Sequence, residues 1–308
     1  MFSVIFPGQG SQMVGMGKEF FDKYDLVKRL FKEADNALGL SLSKIILDGP
    51  KEKLDLTTNT QPAIFLISYS IFQVMKREFN VNLNKASYFA GHSLGEYSAL
   101  SCAEYLSFSE TIQILRKRGD AMQNAVPKGE GGMVAVLGAN VEAIENILEE
   151  NHNSFECQIA NDNSEGQIVI SGKIKDLEKL IEILKSKNIK NIKLPVSAPF
   201  HCKLMSKATH LMKHEIEKAN FQDAKNVLIS NVSAREVANK DDLKKLLIEQ
   251  IENRVRWRES VMNMIDKGVD HFIEIGPGKV LSGLIKRINK TVKINTINND
   301  SDIKDLKI

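Results

Sequence analysis

The sequence predicts an α/β fold: a parallel-sheet body with a smaller β-α-β-β-α-β unit inserted into it. Three observations carry this. Short apolar segments alternate with longer helical patterns through residues 1–126, the order that builds crossover connections and parallel strands. Gly91-His92-Ser93-Leu94-Gly95 stands between the apolar, aromatic segment 86–90 and a run of helix formers at 96–103. Finally, Pro127-Lys128-Gly129-Glu130-Gly131-Gly132 is the strongest linker in the chain, and the order of elements changes after it.

In chain order, residues 3–6 read as the first strand, followed by the turn Pro7-Gly8-Gln9-Gly10-Ser11-Gln12. Helical patterns cover 18–38 and, after Gln61-Pro62, 63–79; the strand and turn around Ser93 come next, then a helix over 109–124. Beyond the linker, 133–137 reads as a strand, 141–150 as a helix, and 157–160 and 167–171 as strands joined by a turn over 161–166. A helix over 174–187 and a strand over 189–196 complete the split arrangement of a ferredoxin-like subdomain. Pro195 and Pro199 mark the return to the main body. Residues 1–126 and 197–308 are therefore assigned to one discontinuous domain and 127–196 to the inserted one. The remainder predicts strands at 227–231, 271–275 and from 292, with helices at 240–250, 257–267 and 279–288.

Composition narrows the function. With 308 residues, 43% hydrophobic and 26% charged, the chain can bury a large core, as an ordinary globular enzyme does. A net charge of +3 is too small to argue for nucleic acid, although dispersed lysines leave basic patches for an acidic partner. Cys102, Cys157 and Cys202 are odd in number and lack metal-ligand spacing, which fits free thiols in a reducing compartment. Residues 1–6 lack the basic and long apolar regions of a signal peptide, and no apolar run reaches the ~18 residues of a membrane helix. A cytoplasmic location is expected, with no metal, cofactor, nucleic acid or membrane partner.

Glycine, variable residue, serine, variable residue, glycine between strand and helix is a nucleophile elbow, a tight turn that presents the serine hydroxyl. Glycines flank it because side chains there would collide with the turn, and the helix N-terminus behind it favours negative charge. A serine hydroxyl needs a base. Among six histidines, His92 neighbours Ser93 in the turn and its side chain should point away. His210 and His214 lie at i and i+4 on an amphipathic pattern but lack the glutamate and third ligand of a zinc site, so they read as surface residues. His152 and His271 carry no local signal. His201 follows a strand on the proline-stiffened turn Ser197-Ala198-Pro199-Phe200-His201-Cys202, a placement that suits either a base or a structural residue.

Arg118 points into the apolar helix face defined by Ile114, Leu115, Ala121 and Met122, whereas Arg116 and Lys117 point away. A guanidinium aimed at the core needs an anion, either a protein carboxylate or the carboxylate of a ligand. The Gly8-Gln9-Gly10 loop fails the spacing of phosphate loops, because Met16 follows Gly15 where lysine is required. It better serves as the second contributor to an oxyanion hole, the first being the N–H of Leu94.

Together, 7–12, 91–95, Arg118, 197–202, Gln250 and Ile275-Gly276-Pro277-Gly278 occur in an order that resembles the malonyl-CoA:acyl-carrier-protein transacylases over nearly the whole chain. The resemblance implies an α/β-hydrolase-like large domain, the ferredoxin-like insert, and an active site in the cleft between them. It implies that Ser93 is acylated, that His201 is the base, and that the Gln250 main-chain carbonyl orients His201. Gln9 and Leu94 would supply the oxyanion-hole N–H groups and Arg118 would hold the malonyl carboxylate. Asn161 and Asn163 would line the cleft from the insert, and the bulk of Phe200 would disfavour branched acyl groups. Malonyl-CoA and acyl carrier protein are the implied partners of a monomer. One departure is Arg254, where the family has proline, four residues from Gln250. Two rivals are a serine esterase or thioesterase with water as acceptor and a non-catalytic scaffold. The carrier protein could also belong to polyketide synthesis. Lys190, Lys193, Lys286 and Arg287 are the expected docking residues for its acidic surface.

Overall fold

Every residue of the first strand, β1 (Phe2–Phe6), is buried. Val4 and Phe6 belong to one core cluster and Ile5 to another, so helices must cover both faces of its sheet. The computed structural model describes residues 1–196 and 198–308; Ser197, where the 197–202 segment begins, lies outside the described residues.

The expected helix over 18–38 is two helices, α1 (Lys18–Lys23) and α2 (Asp25–Leu38), broken at an extended Tyr24. No proline or glycine marks the break. The Tyr24 hydroxyl instead bonds Asp300, near the other end of the chain, a contact that local patterning does not contain. Two short helices, α3 (Leu42–Asp48) and α4 (Lys51–Leu54), precede α5 (Thr57–Arg77). The α5 helix starts six residues earlier than expected and carries Pro62 inside it. Pro62 has no N–H for the carbonyl of Thr58, and Arg116 Nη1 donates to that carbonyl instead, at 3.1 Å.

Next come β2 (Tyr88–Gly91), α6 (Leu94–Cys102) and α7 (Phe108–Gln123). The insert follows as β3 (Gly131–Leu137), α8 (Val141–Glu150), β4 (Cys157–Ser164), β5 (Gln167–Lys173), α9 (Ile174–Ser186) and β6 (Lys190–Lys193). The four strands form an antiparallel sheet in the order β4-β5-β3-β6. One face carries Val134, Val136, Ile168 and Ile170, in a cluster with Ile144, Leu177 and Leu180 of α8 and α9. On the other face Met133, Ala135 and Val169 join the main core. The insert is thus packed onto the body of the protein on its inner side.

The expected turn over 161–166 is a correction. The strand β4 runs through Ser164, with register shifts at Ile159/Asn161 and Asp162/Ser164, and the reversal occupies only 165–166. Asn, Asp and Ser favour turns, but here the Asp162 and Asn163 side chains find partners in the extended chain, while Ser164 Oγ has none among the described residues. Asp162 is fully buried and pairs with Arg258 at 2.9 Å, and the Asp162 N–H donates to the carbonyl of Val255.

The rest comprises α10 (Ser206–Lys218), β7 (Leu228–Ile229), β8 (Glu236–Val237), α11 (Lys240–Gln250), α12 (Trp257–Asp266), β9 (His271–Ile275), α13 (Val280–Ile288), β10 (Lys293–Ile297) and α14 (Asp300–Lys304). The main sheet has the order β10-β9-β1-β2-β7-β8 and is parallel except for β7 against β8. After β1 the chain builds to one side through β2 and β7, then returns to build β9 and β10 on the other. Such a reversal opens a crevice at the carboxyl ends of the strands, where α/β sheets bind ligands. Among the described residues no helix is long and apolar enough to cross a membrane.

Candidate active site

Ser93 sits at that crevice, between the end of β2 and the start of α6. Its backbone is strained, with φ 54° and ψ −112°, as a nucleophile elbow requires. The flanking glycines are sterically obligatory. A Cβ on Gly91 would lie 2.0 Å from the carbonyl of Gly95, and one on Gly95 would lie 2.3 Å from the carbonyl oxygen of Phe6. Leu94 is the first residue of α6, so its N–H has no intrahelical acceptor. Gln9, on the loop after β1, lines the same cavity of about 110 Å³.

His201 reaches the serine from the segment after the insert. Its Nε2 lies 2.8 Å from Ser93 Oγ, and its Nδ1 lies 2.8 Å from the main-chain carbonyl oxygen of Gln250. A carbonyl can only accept, so Nδ1 carries the proton and Nε2 is free to receive one. His201 also has positive φ, 57°, and its turn is fixed by Ser171 Oγ donating to the carbonyl of Phe200 at 2.6 Å. Burial, then the nearby Arg118 charge, push the His201 pKa down to about 3, so the imidazole stays neutral.

Arg118 is 1% exposed, and its position on the inner face of α7 agrees with the helical pattern. Its Nη1 donates to Gln61 Oε1 at 2.7 Å, and its Nη2 to Gln250 Oε1 at 2.7 Å and to Ser93 Oγ at 3.2 Å. Among the described residues no carboxylate oxygen lies within 4.0 Å of this guanidinium, and its Nε has no partner. The internal ion pair is therefore not what holds it. A buried cation whose partners are neutral, beside a serine hydroxyl, has the chemistry to accept an anion.

Asn161 and Asn163 are buried on β4, and Asn163 Oδ1 lies 2.8 Å from His92 Nε2. His92 thus turns to the insert and leaves Ser93 to His201. Phe200 and Asn161 line the cavity with Ser93, His201 and Arg118. A second groove of about 400 Å³ opens on the other side of His201, lined by Gln158, Asn253, Arg254 and Arg256. The loop that carries Arg254 is held by two contacts. Arg254 Nη2 bonds Glu145 Oε1 of α8 at 2.5 Å, and the Val255 N–H donates to the carbonyl of Ala160 at 2.8 Å. His210 and His214 are exposed on α10.

Sequence patterns missed three residues. Asn231, just beyond β7, accepts from the Ser93 N–H at 2.7 Å and donates to the carbonyl of Gly91 at 2.7 Å, bracing the elbow. Gln61 and Glu96 lie in helices whose register reveals burial but not partners.

Residues 3–305 match the model of the acyl transferase domain. The chain is 44% identical over 301 residues to the malonyl CoA-acyl carrier protein transacylase of Bacillus subtilis strain 168, covering 97% of this chain and 94% of the relative. The crystal structure of an acyl-carrier-protein-S-malonyltransferase from Bartonella henselae superposes with a TM-score of 0.95 at 43% identity, covering 98% and 97% of the two chains. A malonyl-transacylase in complex with its type II PKS acyl-carrier protein superposes with a TM-score of 0.94 at 36% identity, covering 98% and 97%. By these matches over almost its whole length, the chain belongs to the acyl transferase domain family, among the malonyl CoA-acyl carrier protein transacylases.

Proposed function

We propose that the protein transfers a malonyl group from coenzyme A to the phosphopantetheine thiol of acyl carrier protein through a malonyl-serine intermediate. The observation that carries this is the double contact of Ser93 Oγ, 2.8 Å from a neutral imidazole nitrogen and 3.2 Å from a buried guanidinium that has no carboxylate partner among the described residues. His201 Nε2 takes the Ser93 proton as Oγ attacks the thioester carbonyl. The oxyanion is held by the N–H groups of Leu94 and Gln9. Collapse expels coenzyme A as the thiol, with the proton returned by His201. The carrier thiol then gives its proton to His201 and attacks the malonyl ester, and Ser93 leaves with that proton. Arg118 holds the substrate carboxylate through both half-reactions. The Gln250 carbonyl fixes the histidine tautomer without a third-residue carboxylate, whose charge would oppose an anionic substrate.

The same reading takes residues 1–126 and 197–308 as an α/β-hydrolase-like domain and 127–196 as a ferredoxin-like one. The antiparallel order of the insert supports the latter, being that of a split β-α-β fold. Asn161, Asn163 and Phe200 shape the acyl pocket. The protein acts as a cytoplasmic monomer without metal or cofactor. The rival thioesterase uses the same serine with water as acceptor; Arg118, without a carboxylate partner among the described residues, disfavours one that acts on neutral acyl groups, which give that charge nothing to bind.

Intact mass after mixing with malonyl-CoA tests the reading. A malonyl adduct is expected, absent in Ser93→Ala, and formed ~10²–10⁴ more slowly in His201→Ala, as for loss of a general base. Release of free malonate as fast as transfer to carrier protein would mark a thioesterase; an adduct surviving Ser93→Ala would refute the nucleophile.

A further inference from the structure

Glu96 is a carboxyl residue in α6 that the mechanism does not use. It is 1% exposed and is not part of the cavity wall. Its Oε2 accepts from Gln250 Nε2 at 2.7 Å and from the Asn231 N–H at 3.2 Å, and its Oε1 has no partner among the described residues. Gln250 is the junction. Its side-chain Oε1 accepts from Arg118, its Nε2 faces Glu96, and its main-chain carbonyl accepts from His201.

The Gln250 amide has only one self-consistent orientation in this setting. Its NH₂ faces three acceptors: Glu96 Oε2, the carbonyl of Ser93 at 3.0 Å, and Asn231 Oδ1 at 3.5 Å. Turned over, it would set its oxygen against a carboxyl oxygen and its NH₂ against a guanidinium donor. Glu96 supplies the shortest of those three contacts. Without it the amide keeps only the two longer contacts, at 3.0 and 3.5 Å, and the acceptor that aligns Arg118 Nη2 toward Ser93 is less firmly placed.

We propose that Glu96 is a positioning residue that locks the Gln250 amide and through it the Arg118 guanidinium, so that acyl selectivity depends on a carboxyl that never touches substrate. This rests on the roles given above to Ser93 and Arg118. Glu96 acts as a hydrogen-bond acceptor at a fixed place. Burial raises its pKa to about 7, against the opposing effects of Gln250, Asn231 and Arg118, so near neutrality the carboxyl is only partly ionised, and with any proton on Oε1 its Oε2 accepts in either state.

Three variants separate place from charge. Glu96→Gln keeps length and one acceptor oxygen but no charge. Glu96→Asp keeps the charge and retracts the acceptor by about 1.5 Å, one C–C bond. Glu96→Leu keeps bulk and removes the acceptor. The readout is kcat/KM for acylation of Ser93 by malonyl-CoA and by acetyl-CoA, expressed as their ratio. Glu96→Gln should hold this ratio within about threefold, whereas Glu96→Asp and Glu96→Leu should lower malonyl transfer by ~10², the cost of a 1 Å misplacement, and acetyl transfer far less. Should Glu96→Leu fail to fold, the Gln–Asp pair still decides. Asp matching wild type while Gln loses selectivity, or a ratio unchanged in every variant, would overturn the proposal. Failure of the wild type to form an adduct on Ser93 would instead refute the reading on which it rests.

Discussion

Replacing Arg118 by alanine is the sharpest probe of substrate choice. The guanidinium is buried, has no carboxylate within 4.0 Å among the described residues, and spends its contacts on Gln61, Gln250 and Ser93 Oγ. The longest of these, 3.2 Å to Ser93 Oγ, is the one a substrate carboxylate most readily replaces. A hydrogen bond to a charged group is worth about 1.5–3 kcal/mol, so two to a malonyl carboxylate give about 3–6 kcal/mol, or ~10²–10⁴ in kcat/KM. Acetyl transfer gains nothing from the cation and should be unchanged or improved in Arg118→Ala. The substitution also strands Gln61 Oε1 and Gln250 Oε1, about 1–3 kcal/mol of stability for each acceptor that water does not reach. Absolute rates therefore mix folding with recognition, and the decisive quantity is the malonyl-to-acetyl ratio, measured with both coenzyme A thioesters on protein shown to be folded by its melting curve. Arg118→Lys, which keeps charge but loses the planar fork, should fall between. Equal loss of both activities would mean that Arg118 only supports the fold and would refute the selectivity argument.

Four further outcomes are expected. With the His201 pKa at about 3, acylation by malonyl-CoA should show no acid limb near pH 6.5 and persist to about pH 5; a half-maximal rate near 6.5 would refute a buried neutral base. Because the folded pKa lies below the unfolded one, the unfolded chain binds a proton between about pH 3 and 6.5 that folded His201 refuses. Stability to denaturant should therefore decline as pH falls through that window, by up to about 1.4 kcal/mol per unit from this group, and less in His201→Gln. Gly91→Ala and Gly95→Ala should each cost more than the ~1–3 kcal/mol of ordinary overpacking, since the added Cβ would meet backbone; Gly283→Ala on α13, with nothing within 4 Å, should be neutral or mildly stabilising in the same melts. Finally, Lys190 pairs with Leu137, which pairs with Gln167, the residue that binds Arg287, so basic groups line one end of the insert's sheet. If carrier protein docks there, its transfer rate should fall with salt more steeply than transfer to free pantetheine; equal slopes would place docking elsewhere.

Much of the site was legible because its signals are local. Gly91-His92-Ser93-Leu94-Gly95 encodes its turn through sterics that act within five residues, and the 3.6-residue period alone turned Arg118 inward. The ends of α8, α11 and β9 followed from their own patterns. Where the chain departed from expectation, a distant partner decided. The helix over 18–38 breaks at Tyr24, whose hydroxyl is held by Asp300, and the carbonyl that Pro62 leaves bare in α5 is satisfied by Arg116. The polar run 161–164 is strand, with Asp162 partnered by Arg258 and Val255 and Asn163 by His92. Local sequence thus determined which residues are presented: a serine on a strained turn, a cation on a buried face, a histidine after a proline. Only the tertiary structure decided that they meet, because His201 and Gln250 lie 108 and 157 residues from Ser93, and contacts at that separation are encoded in no single segment.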